Sequence, residues 1–315
     1  GVPGPDGSGE RLRYRPPVRT DPGTTRFECV RRSGTQPNAE EIPMPLFVSP
    51  TPQLTTDLRE GVAVVTLNRP EARNALTDEL SGALRQAIAW VREDSDVGAL
   101  LLTGAGTAFC SGADVKAMGN RTADAPPPSL ESQFRQMRAR HREIAGELTA
   151  LRKPTVAALP GPAAGAGMAI ALCCDLRVAA DTAFLSTAYA RIGLSGDYGI
   201  AWLLSRIVGP GRARQLLLTG ERVTAAQALG IGLINEVAAV EDLPEVAFAL
   251  AARLAGGPRV AMAYMKDNLD EALGIDHLTA IDREADRLLK ARSTADHREA
   301  VRAFAEKREP RFRGE

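Results

Sequence analysis

The chain has 315 residues, with 39 Lys+Arg against 39 Asp+Glu, so its formal net charge at pH 7 is zero. A nucleic-acid binder normally needs a basic excess to displace counterions, and none is present. The hydrophobic fraction of 44% and the charged fraction of 25% are those of an ordinary globular protein, which excludes disorder, collagen-like repeat and coiled coil for the chain as a whole.

The opening Gly-Val-Pro-Gly-Pro-Asp lacks an apolar h-region, and no secretory signal is predicted. Residues 1–52 hold ten of the 21 prolines and show no hydrophobic period. This composition cannot bury enough apolar surface to offset chain entropy, so an irregular or disordered arm is expected. Regular structure is expected from residue 53. Val62–Leu67 reads as a strand, followed by a helix with Leu80, Leu84, Ala87, Ile88 and Val91 on one face and Thr77 as its cap. Val97–Thr103 and Thr155–Leu159 read as strands flanking a polar helix over Ser132–Leu151. A small-residue helix over Gly165–Cys174 and a strand over Leu176–Ala180 come next. Such alternation predicts a mainly parallel sheet with helical crossovers. After Gly199 the pattern is helical, apart from a strand-like Leu233–Val237. The predicted organisation is an arm over 1–52, an α/β core over 53–255 and a helical region over 256–315.

No apolar run reaches the ~18 residues that a membrane helix needs. Cys29, Cys110, Cys173 and Cys174 show no C-x-x-C spacing, and His141, His277 and His297 lie far apart. Neither disulfides nor a metal site is expected, and the localisation expected is cytoplasmic.

Two glycine-containing turns follow strands: Gly104 to Asp114, and Pro160 to Gly167. Small residues there let the backbone approach a ligand and aim free N–H groups at it. Two such turns could each give one N–H to a single oxygen that becomes negative during a reaction. The competing dinucleotide fingerprint fails, because its third glycine position holds Ile170.

A series of phrases in this order resembles the enoyl-CoA hydratase/isomerase (crotonase) superfamily. They are Leu67-Asn68-Arg69-Pro70-Glu71 with Asn74-Ala75-Leu76, then Phe109-Cys110-Ser111-Gly112-Ala113-Asp114-Val115-Lys116, then Gly165-Ala166-Gly167. Ala228-Leu229-Gly230-Ile231-Gly232-Leu233 and Ala303-Phe304-Ala305-Glu306-Lys307-Arg308 continue the series. The resemblance covers Leu54 to Phe312 and implies a crotonase-like α/β spiral of ββα units with a C-terminal helical trimerisation region. It also implies a homotrimer or dimer of trimers, an acyl-CoA thioester substrate of the kind met in fatty acid metabolism, and no resident cofactor. Coenzyme A enters as part of the substrate. By motif match, Ser111 and Ala166 would be the oxyanion donors. Ala113, Asp114 and Val115 would lie near the adenine, Lys116 and Arg73 near phosphates, with Lys266 and Phe304 contributing from the C-terminal region or a neighbouring subunit.

Hydratases of this family use two glutamates, one to activate water and one for the α-proton. Here their positions hold Ala169 and Tyr189. Asp197 stands nearby, where several isomerases and aryl-CoA dehalogenases of the family carry an acid. One carboxylate suffices to move a double bond, since it can remove a proton and return it two carbons away. The alternative for Asp197 is a cap on the helix that starts near Gly199. Tyr189 is expected to line the acyl pocket, His141 to lie on the surface, and Cys110 to be a packed small residue. The expected activity is therefore enoyl-CoA isomerisation. A 2-enoyl-CoA hydratase, a dehalogenase using His141 as base, and a silent CoA-ligand-binding homologue remain alternatives.

Overall fold

β-branched and leucine-rich segments pair into a six-stranded sheet in the order β1-β2-β3-β4-β6-β9. The computed structural model describes residues 47–114 and 129–315. Val115, Lys116 and the predicted arm up to residue 46 therefore lie outside the described residues. The strands of this sheet are β1 (Leu54–Arg59), β2 (Val62–Leu67), β3 (Ala99–Gly104), β4 (Thr155–Leu159), β6 (Leu176–Ala180) and β9 (Glu236–Ala238). β1 and β2 form an antiparallel hairpin, and every later pair is parallel. A second, three-stranded sheet joins β5 (Ala163–Ala164), β7 (Phe184–Ser186) and β8 (Val223–Thr224).

Parallel strands need crossovers, and helices supply them. α1 (Asp78–Glu93) starts at Thr77, whose side chain accepts from Leu80 N at 3.0 Å, and it buries Leu80, Leu84, Ala87, Ile88 and Val91. α2 (Leu130–His141) runs into a π-helical turn, Arg142–Gly146, and a last turn, Glu147–Thr149. α3 (Ala166–Cys173) is buried along its whole length, which its small and apolar residues permit. Every residue of β4 is buried too, so the run Thr-Val-Ala-Ala-Leu is apolar without alternation, as a strand covered on both faces must be. Truncating a core leucine such as Leu159 would cost about 2–5 kcal/mol.

The rest of the chain is mostly helical: α4 (Ile200–Ile207), α5 (Gly209–Thr219), α6 (Ala225–Gly230), α7 (Leu243–Ala255), α8 (Arg259–Ala272), α9 (His277–Arg292) and α10 (Ala295–Glu306). α7 packs on the sheet, with Leu243, Ala247, Ala251 and Ala255 buried. By contrast α8 and α9 bury no residue fully, and Leu278, Ile281, Leu288 and Leu289 are exposed. Lys266 of α8 is engaged within the chain: its Nζ donates to Asp175 Oδ2 at 2.7 Å and to Lys153 O at 3.2 Å. The ion pair of Lys266 with Asp175 fastens α8 to the start of β6. Among the described residues no single helix is long and apolar enough to cross a membrane.

The predicted strand over Leu233–Val237 is displaced to Glu236–Ala238. Leu233 and Ile234 are buried, but their N–H groups turn back to Ala228 O and close α6. Burial, not pairing, made them apolar.

Candidate active site

The turns that leave β3 and β4 are zipped together. Ala164 N donates to Cys110 O at 2.9 Å, and Phe109 N donates to Pro162 O at 3.1 Å. Gly167 makes the approach possible, because a Cβ there would stand 2.3 Å from Cys110 O. Asn74, fully buried with φ 55°, holds the first turn in place. Its Nδ2 donates to Ala105 O at 3.0 Å and Ala108 O at 2.8 Å, while its Oδ1 accepts from Arg69 N at 2.8 Å.

This framework decides which N–H groups are free. Ser111 N donates to Arg73 O at 3.0 Å, so the donor expected at Ser111 is already satisfied by the backbone. Two residues on, Leu76 N donates to Gly112 O at 2.8 Å and Asp114 N donates to Leu76 O at 3.2 Å. Ala113 is thereby bridged to Leu76 through its neighbours' groups, and its own N–H faces the other way. Ala166 is the first residue of α3, where the N–H has no intrahelical acceptor. Gly112 (φ 97°) lies against that helix start, since a Cβ there would be 3.5 Å from Ala166 N. Ala113 and Ala166 line one cavity of about 400 Å³.

Three carboxylates line the same cavity: Asp78, Asp114 and Asp197. Asp78 pairs with Arg140, and Asp114 pairs with Arg69 at 3.2 Å. Asp197 is different. It sits in a loop with positive φ at Gly196, Tyr198 and Gly199, and it does not cap α4, whose N-cap is Gly199 without a side-chain bond. Its carboxylate instead accepts a short hydrogen bond from Tyr189 Oη. Burial raises its pKa above the usual carboxylate value, while the Tyr189 hydrogen bond and the nearby His141 act in the opposite direction.

Tyr189 is buried, and its hydroxyl is committed to Asp197. Where the resemblance implies a glutamate, this chain offers a phenol that holds a carboxylate eight residues on. His141 is not the surface residue expected. It ends α2 just before the π-helical turn, lines the cavity, and packs its ring 4.2 Å from that of Tyr198. Burial lowers its pKa; Asp197 opposes that shift and Arg140 adds to it. Leu130, Phe134 and Met137 precede it at helical spacing on the same face, and Met137 lines the same cavity, so a stripe ending on His141 was the signal that could have found it.

Of the other expected residues, Arg73 is exposed and contributes its carbonyl to Ser111. Phe304 projects from α10 at 87% exposure, away from this cavity. Ala169 is buried within α3. Cys110 is a packed core residue whose thiol burial pushes up to about 12.

The raised Asp197 pKa has a consequence for stability. The folded protein holds that proton more tightly than the unfolded chain, so the favourable contribution is full below the unfolded pKa and is lost as pH rises through the folded one. Asn cannot ionise and can still accept from Tyr189. Asp197→Asn is expected to stabilise the fold near neutral pH by of order 1 kcal/mol. The gain should shrink toward pH ~4, near the ordinary carboxylate value. Urea denaturation of both proteins across this window measures it; a gain that grows on acidification would contradict the sign.

The enoyl-CoA hydratase/isomerase family model matches residues 57–315. The 1,2-epoxyphenylacetyl-CoA isomerase of Escherichia coli is 36% identical over 263 residues, covering 83% of this chain and 98% of that protein. The crotonyl-CoA hydratase of Syntrophomonas wolfei is 34% identical, over 80% of this chain and 95% of its own length. The crystal structure of an enoyl-CoA hydratase from Bacillus anthracis superposes with a TM-score of 0.77 at 30% identity, covering 84% of this chain and all of that one. The chain belongs to the enoyl-CoA hydratase/isomerase family and has the crotonase fold. It is an enzyme of that family.

Proposed function

We propose that the protein moves a double bond of an enoyl-CoA thioester, holding the thioester oxygen between the N–H groups of Ala113 and Ala166 and carrying one proton on Asp197. The observation that carries this reading is one cavity lined by Ala113 and Ala166 together with a carboxylate, Asp197, that no arginine engages among the described residues. Ionised Asp197 takes a proton from the α-carbon of a 3-enoyl-CoA. The electron pair passes to the thioester oxygen, where two N–H donors stabilise the enolate. The protonated carboxyl then gives a proton to the γ-carbon, the double bond settles between Cα and Cβ, and Asp197 is ionised again. The E. coli relative is named as an isomerase, which agrees with this reading.

Hydration is the second reading, favoured by His141 in the same cavity as a further proton-handling group and by the S. wolfei relative named as a hydratase. Incubation with 3-hexenoyl-CoA and, separately, 2-hexenoyl-CoA separates the two. Isomerisation converts the first to the conjugated product. Rapid loss of the 2-enoyl absorbance with no turnover of the 3-enoyl isomer would replace it with hydration. The exposed Leu278, Ile281, Leu288, Leu289 and Phe304 support assembly through the C-terminal helices, as a trimer or a pair of trimers.

A further inference from the structure

His141 has no part in single-carboxylate isomerisation, yet its placement is specific. It is half-buried, faces the cavity shared with Asp197, and rests on the ring of Tyr198, the residue next to Asp197 in the chain. Its ring nitrogens form no hydrogen bond among the described residues, so the unprotonated one can accept a proton while the other gives one up. The π-helical turn that begins at Arg142 breaks the regular helix immediately after it, a distortion that is frequent at functional sites. The charged groups around the pair are already matched: Arg140 with Asp78, and Arg69 with Asp114. Tyr189 donates to Asp197, and burial of Tyr189 and Tyr198 keeps both phenols protonated.

We propose that His141 relays the proton held by Asp197 to solvent, so that the proton delivered to the acyl chain is drawn from water and not carried over from the α-carbon. The inference rests on the isomerase reading of Asp197. In the relay, the Asp197 carboxyl formed by α-proton removal passes its proton to an imidazole nitrogen, directly or across one solvent molecule. The imidazolium exchanges that proton with water and returns one to Asp197, which protonates the γ-carbon. No electrons leave the system and every proton is accounted for. Burial drives the two affinities toward each other, upward for Asp197 and downward for His141, which makes the exchange easy in either direction.

The test runs wild type, His141→Gln and His141→Phe in D2O. Phe keeps a ring against Tyr198, and circular dichroism verifies that both variants fold. Two substrates are used: 3-hexenoyl-CoA, and phenylacetyl-CoA, which has acidic α-protons and no double bond to move. Wild type is expected to place solvent deuterium in the hexenoyl product and to exchange the α-protons of phenylacetyl-CoA. Both variants should incorporate about tenfold less deuterium per isomerisation and slow the α-exchange by a similar factor. A purely structural histidine would lower turnover without changing the deuterium per turnover, and that result overturns the relay. Wild type that isomerises or binds without admitting deuterium overturns it as well. If α-exchange proceeds and falls in the variants while 3-hexenoyl-CoA is untouched, the relay stands and the isomerase reading fails.

Discussion

Asp197→Asn should abolish most turnover of a 3-enoyl-CoA while leaving KM nearly unchanged. The carboxylate acts on the α- and γ-carbons only as bonds to hydrogen break and form, so its loss falls on the transition state and hardly on binding. Positioned acid–base groups are worth about 10²–10⁴-fold, which sets the expected fall in kcat. The Tyr189 hydrogen bond survives in the Asn variant, because the amide oxygen still accepts, so the loop from Gly196 to Gly199 keeps its shape. Steady-state kinetics on both proteins, with the rise in stability described above as proof of an intact fold, gives the answer. Unchanged kcat would remove Asp197 from the chemistry.

Ala166→Pro should lower kcat/KM by about 10²–10³-fold, the usual cost of deleting one oxyanion donor. Proline is a clean probe at this position. Ala166 opens α3, where the N–H is unused by the helix and the fixed φ of proline suits the first turn. Gly165 before it has φ 52° and ψ −125°, an extended conformation of mirror hand that only glycine adopts readily and that does not place a helical residue ahead of the proline. The fold should therefore tolerate the change. A variant that melts with wild type but turns over substrate at the wild-type rate would show that Ala166 N–H does not contact the developing charge. The equivalent substitution at Ser111 lacks this meaning, because its N–H is bonded to Arg73 O.

Much of the core could be read from the sequence because buried parallel strands leave continuous apolar runs. Val62–Leu67, Thr155–Leu159 and Leu176–Ala180 fall on the strands found, and Thr77 caps α1 as expected. The edge strand Leu54–Arg59 escaped notice, since one face, Thr55, Asp57 and Arg59, meets solvent and only Leu54 is fully buried on the other. In the site, the phrase from Phe109 to Asp114 located a donor turn, but motif matching cannot tell which amide the neighbouring carbonyls consume. That depends on Arg73 and Leu76, more than thirty residues earlier, and on Asn74 holding them. His141 was hidden for a different reason. The stripe Leu130, Phe134 and Met137 that leads to it is exposed in the fold, and only tertiary packing brings the last residue of that face onto Tyr198. Nor does the sequence show that Lys266 finds an acidic partner, Asp175, ninety-one residues earlier in its own chain.

The free N–H groups at the cavity belong to the main chain, and this shapes how the protein can change by mutation. Nineteen of the twenty amino acids carry a backbone N–H, so nearly every codon change at Ala113 or Ala166 leaves a donor there, limited mainly by room. The groups proposed to handle protons are side chains, open to loss or replacement by single substitutions at Asp197 or His141. On the proposed reading, a lineage with this architecture can change which proton it moves while keeping both main-chain donors.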